Sequence, residues 1–503
     1  METDLPTGGA REPVVKAGYN CWRIEPANRV AVIIDAADYF HFIRELCEAA
    51  QNLLIFIGWD FDSRISLEPM APKRKARLSR FFLRLARTNP RRRIAILKWR
   101  FGALKQFLIP QSLWTLIRWA ATPAIEFKFD GMHPAGCSHH QKIVVIDDAM
   151  AVCGGIDLAS GRWDTPEHLD DNPARTWPNG RPCPPWHDIT VLMDGPVAGA
   201  LGELARDRWQ VAGGDPLPQV ESASLDWPDD VIVNFEDVEI AIARTRAAHG
   251  NVEEVREIER LTLDMIAAAR RFIYIENQYL TSAKIAAAIS TRMQEDDPPE
   301  IVAVMPRTAD GWLEQKAMDA ARVQLARAIG KVDSGNRFRI YVPMTKGGTD
   351  IYVHAKLMIV DDCVLRIGSA NLNNRSMGLD SECDVVLDCS LPGNAKAGGE
   401  IATLRTRLLA EHLGVEPARF AECLSRHGSL VAAIEELRGD GKTLDLLDLI
   451  KPGPFEQLIA DKELLDPEHA DGFLEPFAER GLKRRWREGK VRIAKRLRRR
   501  SAR

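Results

Sequence analysis

Short apolar, β-branched runs alternate along this chain with stretches in which apolar residues recur every three or four positions. LIFIGWD (54–60), RRIAILKW (92–99), IEFKFD (125–130), IVVID (143–147) and HDITVLMD (187–194) read as strands. FHFIRELCEAAQN (40–52), ahead of the first, reads as an amphipathic helix. The pattern then restarts. The helical IERLTLDMIAAARR (258–271) precedes FIYIENQ (272–278), EIVAVMPR (300–307), RFRIYVP (337–343), LMIVD (357–361) and SECDVVLD (381–388). A strand–helix alternation written twice predicts an α/β sandwich in each of two pseudo-symmetric halves. The expected boundaries are residues 1–210 for the first half, a Gly-, Pro- and Asp-rich linker at 211–230, and 231–410 for the second half. Residues 411–503 fall outside the repeat and read as helical.

Composition places the chain among ordinary globular proteins, with 45% hydrophobic and 28% charged residues. No apolar run reaches the ~18 residues a membrane-spanning helix needs. The start, METDLPTGGAREPVV, lacks the basic-then-apolar pattern of a secretory signal, so a cytoplasmic protein is expected. Nine scattered cysteines without CxxC pairing predict buried thiols in a reducing compartment rather than disulfides or zinc. Charge changes the picture more. Residues 481–503 hold twelve Lys/Arg and one Glu, whereas the whole chain is −3. Leu482, Trp486, Ile493 and Leu497 share one helical face there, which suits a helix lying on an anionic membrane.

The chemistry sits in a doubled motif. HHQKIVVIDD (139–148) returns as VHAKLMIVDD (353–362), and each histidine lies 14 residues before a glycine turn, GGID (154–157) or GSAN (368–371). Side chains at i and i+2 of a strand share a face. His140 with Lys142, and His354 with Lys356, therefore pair an imidazole with a fixed positive charge, which suits a phosphate. Displacement at phosphorus runs roughly in line. One neutral imidazole can attack while a protonated one serves the leaving oxygen from the opposite side. Two facing repeats supply both, and the lysines neutralise the non-bridging oxygens. Ser369 and Asn371, with Asp157 at the matching place in the first turn, are the expected phosphate contacts. Asp188 and Glu382, at matching positions, are the expected orienting partners of the histidines. Asp147 and Asp361 close the motif and are counted with the catalytic set, either acting directly or pinning the turn. No metal or other cofactor is called for. His139 should point away from His140 and be structural. Trp59, Trp163 and Trp186 read as packing, with a cation–π wall for a choline-like headgroup as the alternative.

HxK(x)4D(x)6G[GS]x[ND], present twice, resembles the signature of the phospholipase D superfamily. HHQKIVVIDDAMAVCGGIDLASGRWD, PPWHDITVLMDGP, IYIENQYL and VHAKLMIVDDCVLRIGSANLNNRSMGLDSE look like its eukaryotic-type branch and bacterial relatives, over residues 20–410. The resemblance implies two α/β/α halves sharing one active site and a covalent phosphohistidine, with His140 as nucleophile and His354 as acid by analogy. It implies hydrolysis of phospholipid to phosphatidic acid and headgroup, with transfer to alcohols. A cardiolipin synthase-like transferase, a nuclease and a non-catalytic lipid-binding scaffold are the competing readings. Nucleic acid is not the expected partner, since the body is acidic. The expected partners are a phospholipid and an anionic inner membrane face. Both motifs in one chain predict a monomer.

Overall fold

The computed structural model describes residues 11–70, 77–100, 110–220, 225–308 and 312–447. The basic tail at 481–503 lies outside them. In the first half the strands are β1 (Arg23–Ile34), β2 (Leu53–Gly58), β3 (Arg93–Trp99), β4 (Ile125–Asp130), β5 (Ile143–Ile146), β6 (Met150–Gly154), β7 (Trp186–His187) and β8 (Ile189–Asp194). The second half contributes β9 (Phe235–Arg246), β10 (Val255–Arg256), β11 (Phe272–Asn277), β12 (Glu300–Val304), β13 (Phe338–Met344), β14 (Tyr352–Val353), β15 (Lys356–Val360), β16 (Val364–Gly368) and β17 (Glu382–Asp388). A last strand, β18, spans Thr443–Leu446.

All but β7 and β14 join one mixed sheet, in the order β18-β13-β12-β11-β15-β16-β17-β9-β1-β8-β6-β5-β2-β3-β4 with β10 beside β9. The order reads almost the same from either end. β1 and β9 pair antiparallel at the centre, Arg23 opposite Ile242 and Val30 opposite Phe235. The two expected sandwiches are thus fused through their first strands. Each half places its HxK strand, β5 or β15, antiparallel between a hairpin partner and the first of its parallel strands. Every residue of both strands is buried, and apart from Lys356 at the start of β15 all are apolar, as expected where both faces of a strand are covered. One core layer runs across both halves. The opposite face carries a separate layer for the first half and another for the second.

The region after residue 410 is helical as expected, through the helices Pro417–His427 and Leu430–Leu437, and it is packed onto the second half. The helix Gly398–Leu413 crosses that boundary, and Phe420, Leu430, Ile434 and Leu444 pack into the shared core layer. β18 pairs antiparallel with β13 and extends the sheet. The connection between the halves runs from the end of the helix Pro196–Val211 to the start of β9. Cys363 and Cys389 form a disulfide, contrary to the thiol reading, because neighbouring strand ends bring together residues 26 apart in sequence. Cys153 and Cys383 are buried free thiols as expected.

Candidate active site

Each HxK strand ends in a hairpin turn whose two aspartates, Asp147–Asp148 and Asp361–Asp362, all have positive φ. Aspartate tolerates that region better than most side chains. The Asp147 carboxylate accepts the backbone N–H groups of Gln51, Asn52 and Leu53 at 2.5, 2.8 and 2.6 Å. Asp361 accepts those of Arg270, Arg271 and Phe272 at 2.8, 2.8 and 3.0 Å. Seven residues of extended chain, on the order of 20 Å, separate each aspartate from its motif histidine. This corrects their inclusion in the catalytic set: their oxygens fasten the turn to the start of β2 or β11.

The histidines sit at the other ends of these strands, and each is held by the opposite half. His140 Nδ1 lies 3.0 and 3.1 Å from the two Glu382 oxygens and 3.1 Å from the Ser369 carbonyl. His354 Nδ1 lies 2.7 Å from Asp188 Oδ2. The backbone exchange matches: His140 N–H donates to Ser381, and His354 N–H to His187. An Nδ1–H aimed at a carboxylate fixes the tautomer and leaves Nε2 as the working atom. Among the described residues neither Nε2 makes a hydrogen bond.

The orienting carboxylates differ in their surroundings. Glu382 also accepts the hydroxyls of Ser369 and Ser376 at 2.6 and 2.7 Å. Ser369 was expected to donate to phosphate; its buried hydroxyl proton goes to Glu382 instead, which corrects that assignment. Asp188 accepts the Ile189 N–H at 2.8 Å. Opposite it stands Gly155, where an added Cβ would lie 2.1 Å from Asp188 Oδ1. The shorter acid occupies the space a serine would need.

The lysines differ too. Lys142 Nζ lies 2.9 Å from the His140 carbonyl and 3.4 Å from Asp157 Oδ2, while Asp157 Oδ1 accepts the Trp59 N–H at 3.1 Å. Asp157 therefore pairs with a lysine rather than contacting phosphate, a further correction with a plain cause, since an anion repels an anion. Lys356 donates to the His354 carbonyl and lies 3.4 Å from Gln278 Oε1. Asn371 is buried, and its side chain makes no hydrogen bond among the described residues.

Burial dominates the electrostatics. It holds His140 well below the usual imidazole value, helped by Lys142 and Lys356. It does the same to His354, helped by Lys356 and Arg162. It pushes Glu382 up to about 8, against Lys142 and the two hydroxyl donors. It pushes Asp188 up to about 6, against Lys356. Lys356 itself is lowered to about 7 by burial, against Asp188.

Aromatic rings flank both imidazoles. Trp59 meets His140 edge-on at 6.1 Å and stacks on Trp99 at 5.6 Å. Trp186 lies 5.1 Å from the His354 ring and stacks on Tyr352 at 4.6 Å. Trp163 lines a separate cavity of about 290 Å³ with Phe40 and Trp177. His139 is buried, 2.6 Å from Arg208, 2.8 Å from the Ser381 hydroxyl and 3.0 Å from Asp130.

A cluster behind His354 escaped the sequence reading, which saw no metal-like set. His168 Nε2 lies 3.4 Å from Asp35 Oδ2 and 3.3 Å from Glu411 Oε1. His187 Nδ1 lies 3.3 Å from both Asp35 Oδ1 and Glu411 Oε1. One ligand atom from each of these four residues lies within 4.8 Å of the others, and imidazole and carboxylate are donors that hold a small divalent cation. The outer nitrogens are fixed by Asp164 and Glu276, at 3.0 and 2.8 Å. Asp35 Oδ2 and His187 Nδ1 are buried without a hydrogen bond, so the set fits a cation. The four residues are spread from 35 to 411, and although His187 opens the HDITVLMD strand, no spacing joins the four in sequence. Ser376, Gln278 and Tyr352 were also missed, although each lies in or beside a stretch that carries the resemblance.

The chain is similar to known proteins in sequence and in fold. A family model described as Phospholipase D matches residues 126–350 and 343–430. Phospholipase D alpha 1 of Vigna unguiculata is 26% identical over 397 residues, covering 55% of this chain and 49% of that protein. Phospholipase D1 of Schizosaccharomyces pombe is 26% identical over 380 residues, covering 56% of this chain and 27% of that protein. The chain thus spans about half, or less, of the length of these relatives. The crystal structure of a phosphatidylserine synthase from Haemophilus influenzae Rd KW20 shares the fold at a TM-score of 0.54 and 11% identity, over 82% of this chain and 97% of that one. Among the described residues no helix is long and apolar enough to cross a membrane. By its doubled motif, its fused pseudo-symmetric sheet and these matches, the chain belongs to the phospholipase D superfamily.

Proposed function

We propose that this chain is a phospholipase D: a phosphodiesterase that cleaves the distal ester of a glycerophospholipid, with His140 as nucleophile and His354 as acid, then base. The observation that carries this reading is the pair of imidazoles whose Nδ1 atoms are held by carboxylates of opposite halves, leaving both Nε2 atoms without a hydrogen bond among the described residues. Neutral His140 directs its Nε2 lone pair at phosphorus. The bond from phosphorus to the headgroup oxygen breaks, and that oxygen takes the proton from His354 Nε2. Water then gives a proton to neutral His354 while its oxygen attacks phosphorus. The P–N bond breaks, releasing phosphatidate and restoring both histidines. An alcohol in place of water gives the phosphatidyl-alcohol.

The low proton affinity of His140 keeps it neutral, as a nucleophile must be. His354 has to be protonated for the first step. The substrate phosphate supplies the negative charge that offsets Lys356 and raises that imidazole. A divalent cation held by Asp35, His168, His187 and Glu411 would balance buried carboxylates behind Asp188 and fix that residue's backbone. Asp188 N–H donates to Asp35, and Asp35 N–H to the Asp188 carbonyl, at 3.2 and 2.8 Å. The interfacial setting follows from the substrate, and the basic tail is our candidate for the membrane contact.

The test is incubation of the protein with mixed phospholipid vesicles and a primary alcohol, followed by lipid mass analysis. Phosphatidic acid with phosphatidyl-alcohol is expected, and neither in His140→Ala. Cardiolipin as the product would favour a transferase. Unchanged lipids alongside cleaved nucleic acid would replace the reading with a nuclease.

A further inference from the structure

One edge of the first half differs from the rest of the chain in charge. Residues 69–125 contain fourteen Lys/Arg and no Asp or Glu, whereas the whole chain is −3. The described part of this run holds the helix Leu78–Thr88, β3 and the helix Pro110–Ala120. Some of its cations are engaged: Arg92 with the Cys47 carbonyl, Arg93 with Glu126 and Lys98 with Asp60. Arg80, Arg87, Arg91, Arg100 and Arg118 are exposed. The helix Pro110–Ala120 has a core side, where Trp119 is fully buried, yet its outer side is apolar as well. Leu113, Trp114 and Ile117 are 42, 63 and 51% exposed. A surface helix ordinarily turns polar residues outward. The matching helix of the second half, Trp312–Val332, exposes no large apolar side chain over its described residues 318–332. Position adds a third observation. β2, β3 and β4 run parallel, so a helix joining the end of β3 to the start of β4 begins where β2 ends. At that end Trp59 meets His140. Leu113 and Trp114 lie near the start of the helix, and exposed Met132 follows the end of β4 with the Arg100 side chain beside Gly131.

We infer that this edge docks on a phospholipid surface that carries anionic lipid, with Trp114 and Ile117 entering the interface and the exposed arginines meeting its phosphates. The choice of a lipid surface rests on the phospholipase D reading. An apolar stripe bordered by cations is the pattern of a helix lying in a lipid interface. The cations complement the negative surface, and the stripe supplies a contact that salt does not screen. A nucleic acid would use the arginines but not the aliphatic side chains. A second copy of the chain would bring its own arginines against these. Because the helix begins at the end of the sheet that carries His140, docking here sets the active site against the headgroups. The basic tail gives charge without a fixed direction; this edge gives orientation.

The test is flotation of the full chain, basic tail included, with vesicles of phosphatidylcholine alone or with added phosphatidylglycerol, at low and at high salt. Wild type should bind the mixed vesicles more tightly. Trp114→Ser with Ile117→Ser should weaken that binding about tenfold or more at either salt, the scale of withdrawing two large apolar side chains from an interface. Arg100→Gln with Arg118→Gln should weaken it at low salt and leave high-salt binding unchanged, because exposed charges are screened. Headgroup release from vesicles should fall with binding in the Ser variant. Melting temperature and turnover of a soluble nitrophenyl phosphodiester should stay at the wild-type values in both variants. A Ser variant that binds vesicles as wild type does would overturn the inference. So would a wild-type dimer that the Ser variant turns into a monomer, or weakened binding of an oligonucleotide with vesicle binding intact. Vesicle binding that the variants lose, in a protein whose wild type releases no headgroup, would uphold the docking edge and overturn the phospholipase reading beneath it.

Discussion

His140 and His354 occupy matching places in matching halves, yet they are furnished differently. His140 rests on a longer acid, Glu382, which two serine hydroxyls hold in place. His354 rests on a shorter acid, Asp188, whose space leaves room only for glycine at 155. Lys142 is paired with a carboxylate, whereas Lys356 faces neutral Gln278. A tryptophan flanks each imidazole, stacked by Trp99 on one side and covered by Arg162 on the other. Duplication supplies two imidazoles, which in the function we propose stand on opposite sides of one phosphate. It cannot by itself make one a nucleophile and the other an acid. That division has to come from the neighbours, and these are where the halves diverge.

The largest effects should follow from removing the imidazoles. His140→Ala should abolish turnover of all substrates. His354→Ala should lose about 10²- to 10⁴-fold on phospholipids, the usual contribution of a positioned acid. It should keep much of the first step on an ester with a nitrophenolate leaving group, which needs no proton. A burst of nitrophenolate from His354→Ala and none from His140→Ala would establish the asymmetry; the reverse pattern would exchange the roles.

Next come the acids. Gly155→Ser should displace Asp188, because its Cβ would fall 2.1 Å from Oδ1. Loss of turnover on the order of 10²-fold is expected for a misplaced catalytic group. Adding Asp188→Glu copies the other half and should recover part of the loss. If the single variant behaves as wild type in steady-state kinetics, the steric account of the difference fails. Ser369→Ala with Ser376→Ala strips both hydroxyls from Glu382 and should cost about tenfold in kcat, the scale of one or two hydrogen bonds to a buried carboxylate. The corresponding place beside Asp188 has no hydroxyl to lose.

The lysines predict a smaller, pH-dependent effect. Lys356 is lowered to about 7 by burial, so the charged form is present below that pH and lost above it. kcat/KM reports the free enzyme, so it should fall as pH rises through about 7. Lys356→Arg keeps the charge at all working pH values and should move that limb upward. A limb that stays in place in the variant would assign it to another group. The least effect on chemistry is expected at the His168 cluster. Chelation should lower the melting temperature, measured with metal content on the same sample. His168→Ala should start low and not respond to chelator; equal responses in both proteins would remove the cation.

Much of this was legible in the sequence, for a stated reason. The doubled HxK strands, their spacing to the glycine turn and the flanking apolar runs are local patterns, and period-2 burial writes them into consecutive residues. Asp188 and Glu382 followed from the register of the repeat. What the sequence does not write is which half a side chain reaches into. The crossing of Glu382 to His140 and of Asp188 to His354 arises only when β1 and β9 join the halves. Ser369 is a different case: its hydroxyl is taken by Glu382 of the same half, another side chain rather than substrate. Asp147 and Asp361 were placed among the catalytic groups by their motif, and the backbone amides they bind lie about 90 residues upstream. The Asp35–His168–His187–Glu411 set draws on four separate segments.

The proposed chemistry requires a covalent intermediate at one histidine and not the other. The measurement is intact-protein and peptide mass after rapid quenching of His354→Ala with an activated phosphodiester. A phosphoryl-linked adduct on His140, absent from the His140→Ala protein under the same conditions, is the predicted result. An adduct on another residue, or turnover of the activated ester with no adduct at any quench time, would contradict it.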